Sequence, residues 1–257
     1  MCIRDSDKVY LSYAPSDAGN SIGAALYVNH LVHDGPRVPA ANSSLIGPDY
    51  DNEVIQSALH RRRIPFTKID DIPSTTARLC ADGYVVAFFN GRMEFGDRAL
   101  GGRSILADPR REEMKDKINA QVKYREAYRP FAPATVAECV HVYFDVPEGF
   151  EARYMEQVVK VRSECAAELP AVTHFDRSAR VQTVKRDESA VFHAVLKAFE
   201  ELTSFPILVN TSFNVNGEPI VLTPDDAITT FFNSGLEYLV IGNCLVSKAC
   251  VGSAAQS

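Results

Sequence analysis

Nowhere in the 257 residues does an apolar run approach the roughly 18 residues that a helical membrane span requires. The N-terminus also lacks a basic stretch followed by an apolar one and a small-residue cleavage site, so a cytoplasmic protein is expected. Cysteine is sparse and scattered: six residues and no C-x-x-C pair argue against a zinc cluster or a disulfide framework, and the thiols read as reduced packing residues. Positive charge is in deficit overall, with 27 Lys and Arg against 33 Asp and Glu and a net charge of −6. That balance excludes a global pull toward nucleic acid or an anionic membrane, so any anion site must be local. Internal repeats and low-complexity tracts are absent too.

What is present suits a globular chain: 46% of the residues are hydrophobic, enough for one large domain or two smaller ones. The first six residues, "MCIRDS", lead into the strand-like "KVYLSY" without a pattern of their own, and the chain is expected to begin inside a domain. "APSDAGNSIGAALYVNHLV" then reads as turn and helix. Residues 34–49, rich in Gly, Pro, Asn and Ser, are the best boundary. Helices are expected in "DYDNEVIQSALHRR", "STTARLCADG" and "REEMKDKINAQVK". The strongest helical pattern is "ESAVFHAVLKAFEEL", and another helix opens at "TPDDAITTFF" with Thr223 as cap and Pro224 at its first position. "YVVAFF", "HVYFDV", "MEQVVKV", "RVQTV", "FPILVN" and "LEYLVIG" read as strands, which makes a mixed α/β or α+β domain.

Four polar stretches interrupt this scaffold. "NGRMEFGDRALGGRSILADPR" (90–110) sets Arg92, Arg98, Arg103 and Arg110 among Gly91, Gly96, Gly101 and Gly102. Guanidinium forks match phosphate or carboxylate, and glycine lets the backbone approach closely. A solvated loop with surface ion pairs to Glu94 and Asp97 has the same residue types. "YREAYRPFAPATV" (124–136) holds Arg125 and Arg129 ahead of Pro130 and Pro133, either a stiffened anion-binding segment or a proline-rich connection. "HFDRSARVQTV" (174–184) alternates so that Ser178, Arg180 and Gln182 share a face, as a plain edge strand also would. In "ILVNTSFNVNGEPIV" (207–221) an apolar strand runs into Asn210, Thr211, Ser212 and Asn214, short polar groups suited to a phosphate or nucleotide. A tight turn explains Asn216-Gly217 but not "NTS".

In content and order, "GRMEFGDRALGGRSILADPR", "YRPFAPATV", "SARVQTV" and "PILVNTSFNVNGEPIV" resemble the C-terminal region of NodU/CmcH-type O-carbamoyltransferases, over residues 9–245. The resemblance implies a YrdC-like domain with a mixed twisted sheet and flanking helices over residues 47–248. It implies that residues 1–46 are the tail of an N-terminal, actin/sugar-kinase-like domain similar to TsaD, with residues 249–257 an uninterpreted tail. It further implies carbamoyl phosphate and ATP as ligands, Mg2+ arriving with ATP, and formation of carbamoyladenylate with release of phosphate and pyrophosphate. Arg92, Arg98, Arg103 and Arg129 would surround carbamoyl phosphate and phosphate oxygens. Ser178, Arg180, Asn210, Thr211, Ser212 and Asn214 would lie nearer the ATP phosphates and the carbamoyl group.

By the same resemblance Asp17 would hold a divalent metal such as Fe2+ with two histidines of an earlier motif, although an Asp capping the following helix reads the same way. His30 and His33 sit in the wrong place for that motif and read as a coincidence of one helix face. The acceptor, a hydroxyl of an antibiotic-, sugar- or lipo-oligosaccharide-like small molecule, would bind mainly in the N-terminal domain, most of which this chain lacks. A different class of function, a non-catalytic nucleotide- or RNA-binding YrdC-like module, stands as the alternative; the acidic balance and the lack of aromatics among the arginines count against RNA.

Overall fold

The computed structural model describes residues 11–37, 43–124, 126 and 129–250. The opening "MCIRDS", the first half of "KVYLSY", part of the boundary segment, Arg125 and the last seven residues lie outside the described residues.

Eight strands form one mixed sheet. In chain order they are β1 (Thr67–Lys68), β2 (Val86–Phe89), β3 (Arg103–Ala107), β4 (Ala132–Val136), β7 (Gln182–Val184), β8 (Ile207–Ser212), β9 (Tyr238–Ile241) and β10 (Cys244–Ser247). Their order across the sheet is β1-β10-β9-β2-β3-β8-β4-β7, while β5 (Val159–Lys160) and β6 (Ser178–Ala179) make a separate two-stranded ribbon. β2 runs parallel to β9 and β4 parallel to β7; the other pairs are antiparallel. The expected mixed α/β architecture is what the chain adopts.

Helices cover both faces of the sheet. α2 (Asn52–Arg61), α4 (Met114–Ile118) and α7 (Pro224–Phe232) place Ile55, Leu59, Met114, Ile118, Ile228 and Phe231 in one apolar cluster with Ala87, Phe89, Val209 and Ile241. α3 (Ile72–Ala81) and α6 (Ala190–Thr203) place Ala77, Phe192, Val195, Leu196 and Phe199 in a second cluster with Val86, Phe88, Leu208 and Val240. Successive side chains of β2 and β9 therefore enter opposite cores, which is why "YVVAFF" carries no polar alternation.

Local signals hold where they were strongest. Asp51 caps α2 through the Val54 amide, and Thr223 with Asp226 forms a capping box on α7. Gly83 stops α3 at φ +91°. α1 (Ala18–Tyr27) continues into a π turn, Val28–Val32, and buries none of its residues; Tyr27, Leu31 and Val32 are well exposed. The latter part of the expected boundary segment is bound to the main unit: Gly47 N–H donates to the Met93 carbonyl and Phe95 N–H to that of Ser44.

Several expectations are corrected. "HVYFDV" is a helical turn, α5 (Val140–Tyr143), followed by a single bridge from Phe144 to Val161, because Val140 and Phe144 bury while their neighbours stay partly exposed. Leu11–Tyr13 form no strand, and of "MEQVVKV" only Val159–Lys160 form a strand, with Val161 in the bridge to Phe144. The helix of "REEMKDKINAQVK" starts only at Met114 and changes to a π turn at Asn119–Lys123. Conversely, "APATV", expected to belong to a stiffened anion-binding segment or a proline-rich connection, is β4, an inner strand. Pro133 is tolerated because it lies opposite Val209 of β8, and the pairing with β7 begins only at Ala134.

Since Phe199 is fully buried between α6 and the sheet, Phe199→Ala is expected to destabilise the fold by about 3–5 kcal/mol, read as a lower midpoint in equilibrium denaturation.

Candidate functional site

β8 carries the site because its character changes along its length. Ile207, Leu208 and Val209 are held in the two cores, then Asn210, Thr211 and Ser212 emerge at the end of the strand. Around that end lies a polar cavity of about 110 Å3. Arg98 and Asp97 form one wall, Pro130 and Phe131 another, and Met155 and Arg180 close it against Asn210–Ser212. Two larger hollows, each about 570 Å3, lie between α2 and the start of α7 and beside Glu138 and Lys185–Asp187. All three mix acidic and basic side chains, but the small cavity joins two guanidiniums and the Asp97 carboxylate to an amide and two hydroxyls, the convergence expected of a ligand site.

The loop bearing Arg98 is built around a buried carboxylate. Glu94 is only 4% exposed, and its Oε1 accepts the amides of Leu100 (2.6 Å), Gly102 (2.8 Å) and Arg103 (3.2 Å). Gly96 and Gly101 adopt φ of +117° and +112°, and a Cβ on Gly101 would meet the Phe192 ring at 2.4 Å. Glycine at 101 thus meets both a backbone and a packing demand. Glu94, offered above as a possible surface partner, is instead the centre of the loop. Its position between apolar Met93 and Phe95 was the signal.

The arginines of this stretch have separate fates. Arg98 lines the cavity and, among the described residues, makes no ion pair or hydrogen bond. Arg103 lies outside the cavity lining: it is fully buried, 3.6 Å above the Phe89 ring, and Nη1 donates to the carbonyls of Gly91 and Gly102, both at 2.9 Å. Burial pulls its pKa down to about 10, opposed by the charge of Glu94, so it stays cationic at neutral pH. Arg92 is exposed and donates to the Ile46 carbonyl. Arg110 grips Asp108 with two hydrogen bonds, at 2.9 and 2.7 Å.

Arg129, beside Pro130 at the cavity wall, is exposed and lies 3.7 Å from Glu126. Asn210 is buried and ties three segments together: Nδ2 donates to the Ala99 carbonyl and to Gln182 Oε1, while Gln182 Nε2 donates to the Leu100 carbonyl. Ser212 and Asn214 are fixed by Lys123, which sequence reasoning passed over. Its ammonium reaches Ser212 O (2.6 Å), Ser212 Oγ (3.1 Å), Asn214 O (3.0 Å) and Asn214 Oδ1 (2.7 Å). In a charged amphipathic segment nothing marks one lysine as buried. Val215–Glu218 then close a turn with Gly217 at φ +85°, and no strand follows it.

Ser178 is placed away from the cavity lining. It bridges Asp176 Oδ1 (2.6 Å) and His174 Nδ1 (3.3 Å) in the turn that precedes Arg180. Asp17 is exposed at the start of α1 and makes no side-chain cap. No group of three His, Cys, Asp or Glu among the described residues could hold a metal, so the described residues do not complete a centre around Asp17. His30 hydrogen bonds locally, to Asn29 and Gly35.

Residues 77–248 match the family model described as carbamoyltransferase C-terminus. The chain belongs to the carbamoyltransferase family. It is 44% identical to nodulation protein NolO of Bradyrhizobium diazoefficiens over 247 residues, covering 94% of this chain and 45% of that one. To nodulation protein U of Azorhizobium caulinodans it is 37% identical over 209 residues, covering 81% of this chain and 35% of the other. The chain spans less than half the length of the curated relatives it matches. A crystal structure of T. kodakarensis HypF aligns with a TM-score of 0.48 at 19% identity, over 66% of this chain and 20% of that one. The resemblance drawn from the four motifs is the family found here, and no described helix is long and apolar enough to cross a membrane.

The Ser178–Asp176 contact gives a pH test of the turn leading to Arg180. Asp176 is pushed down to about 2, first by the Ser178 hydroxyl and next by the Ser178 amide. Its support for the turn is therefore complete above the ordinary carboxylate range, near 4, and is lost as pH falls toward 2. In Ser178→Ala the NMR titration midpoint of the Asp176 carboxyl is expected to rise toward the ordinary value.

Proposed function

We propose that this chain forms the donor-activating part of a carbamoyltransferase. In this reading carbamoyl phosphate occupies the cavity at the end of β8, and ATP binds at its mouth. The observation that carries it is the meeting of Arg98, Arg180, Asn210, Thr211 and Ser212 around one small polar space. At about 110 Å3 the cavity suits a small anion and falls short of the ~300 Å3 or more typical of sites for larger ligands, which supports a reading with the nucleotide outside it. Family membership supports the carbamoyl group, and the motif resemblance supports ATP and the adenylate.

The chemistry balances in two steps. Water cleaves carbamoyl phosphate to carbamate and phosphate; a carbamate oxygen then attacks the α-phosphorus of ATP, forming carbamoyladenylate as the bond to pyrophosphate breaks. Both steps crowd negative charge, and donor-only guanidiniums at Arg98 and Arg180 offset that repulsion as charge moves onto the leaving groups. Arg129 stands close enough in sequence to the wall at Pro130 to join them when its exposed pair with Glu126 opens; such pairs are weak. Lys123 keeps Ser212 in place from behind. Mg2+ would arrive with the triphosphate. Transfer to a hydroxyl of an antibiotic-, sugar- or lipo-oligosaccharide-like acceptor, and a metal site that includes Asp17, would in this proposal also need groups of the kind carried by the part of the relatives that this chain does not span.

The test is isotope exchange between pyrophosphate and ATP. Exchange is expected only when carbamoyl phosphate is present, and Arg98→Ala is expected to lower it at least ~100-fold without a change in folding. Exchange that is independent of carbamoyl phosphate would contradict the reading. A folded chain that binds nucleotide or RNA without exchange would favour a binding module instead.

A further inference from the structure

Among the walls of the cavity at the end of β8, Met155 stands out by its backbone. Of the six described non-glycine residues with positive φ it alone is buried, with φ at +57° and 5% of its surface exposed. Left-handed backbone suits glycine and is unfavourable for a long side chain, so a methionine held there in the interior calls for a reason in the side chain itself.

The residues before and after Met155 are tied in place. Ala152 N–H donates to Thr183 Oγ1 at 2.9 Å, and Thr183 N–H donates back to the Ala152 carbonyl at 2.9 Å, which fastens the segment along β7. Arg153 pairs with Glu188 at 2.7 Å, and the Tyr154 amide donates to Glu156 Oε2 at 2.7 Å. The Tyr154 ring meets that of Tyr13 edge-on at 5.7 Å. Met155 itself packs in a small apolar cluster with Leu100, Ala132 and Tyr154 while it lines the cavity.

The other apolar members of the lining are short or rigid: Ala99, Ala132, Pro130 and Phe131. Met155 is thus the one long, unbranched apolar chain that the cavity meets, and its length decides how far the space extends. Methionine adapts readily where it has room, but here the surrounding cluster and the anchored backbone leave it little. Forcing a larger group against such a wall would push packed side chains off their rotamers.

We propose that Met155 sets the size limit of this cavity: its thioether is an apolar stop that admits a phosphate or phosphonate with a small substituent and excludes one with a longer or bulkier substituent. The proposal rests on the reading of the cavity as an anion site and adds what bounds that site. A thioether offers a ligand at most a weak acceptor, so Met155 acts through the space it fills and leaves the polar recognition of the anion to other residues.

Calorimetric titration of the whole chain with methylphosphonate, propylphosphonate and phenylphosphonate, which do not hydrolyse, tests this. Wild type is expected to bind methylphosphonate at least about tenfold more tightly than either larger anion, the size of effect a methylene or two produces in a closed pocket. Met155→Gly relaxes the backbone and removes the stop; it is expected to keep methylphosphonate binding and to bring the larger anions up to it. Met155→Leu, close in volume, is expected to keep the wild-type order. Equal binding of the three anions by wild type, in competition with inorganic phosphate, would overturn the inference and leave the anion site standing. Proportional weakening of all three in Met155→Gly would overturn it as well, since Met155 would then only support the fold. Failure of these anions and of inorganic phosphate to bind folded wild type would remove the site reading itself. The wild-type series decides even if a variant does not fold.

Discussion

A carboxylate and a guanidinium with almost no access to water hold together the loop on which the site depends. Glu94 gathers three consecutive-turn amides, and Arg103, stacked on Phe89, gathers the carbonyls of the same loop from the other side. Removing either partner would leave an uncompensated charge in the interior, one of the more destabilising changes a fold can suffer. The benefit is a rigid glycine-rich path. It puts Arg103 into the core and, five residues earlier, leaves Arg98 facing the cavity.

The same logic extends to the strands. β8 is an inner strand between β3 and β4, so its apolar half is fixed by both cores and its polar end has little freedom to move. Asn210 links β8 to β7 and to the Ala99–Leu100 turn, and Lys123 links the end of β8 to the segment that follows α4. Four stretches distant in sequence thus converge without a long flexible loop between them, the preorganisation that charge stabilisation demands.

Much of this was legible in the residues. α6 and α7 showed themselves by periodicity and caps, and β2 and β8 by apolar runs ending in glycine or small polar groups. β3 and β4 were hidden because Gly102 and Pro133 argue locally against strands and only the neighbouring strands outvote them. Within the site, Arg98 and Arg103 share one motif and one chemistry; burial separates them, and burial is tertiary. Lys123 escaped for the same reason, as a charged residue in a charged segment whose neighbours give no count of the water around it. The fold class and the family were legible earlier than the assignment of any one side chain.

The central claim, that the end of β8 is the anion site, is tested most directly by titrating the isotopically labelled chain with inorganic phosphate and following backbone amides by NMR. Saturable shifts concentrated at Ala99, Thr211, Ser212 and the residues around Arg180 are the predicted result. Shifts centred instead on Lys185–Asp187 or on the start of α7, where the larger hollows lie, would contradict it.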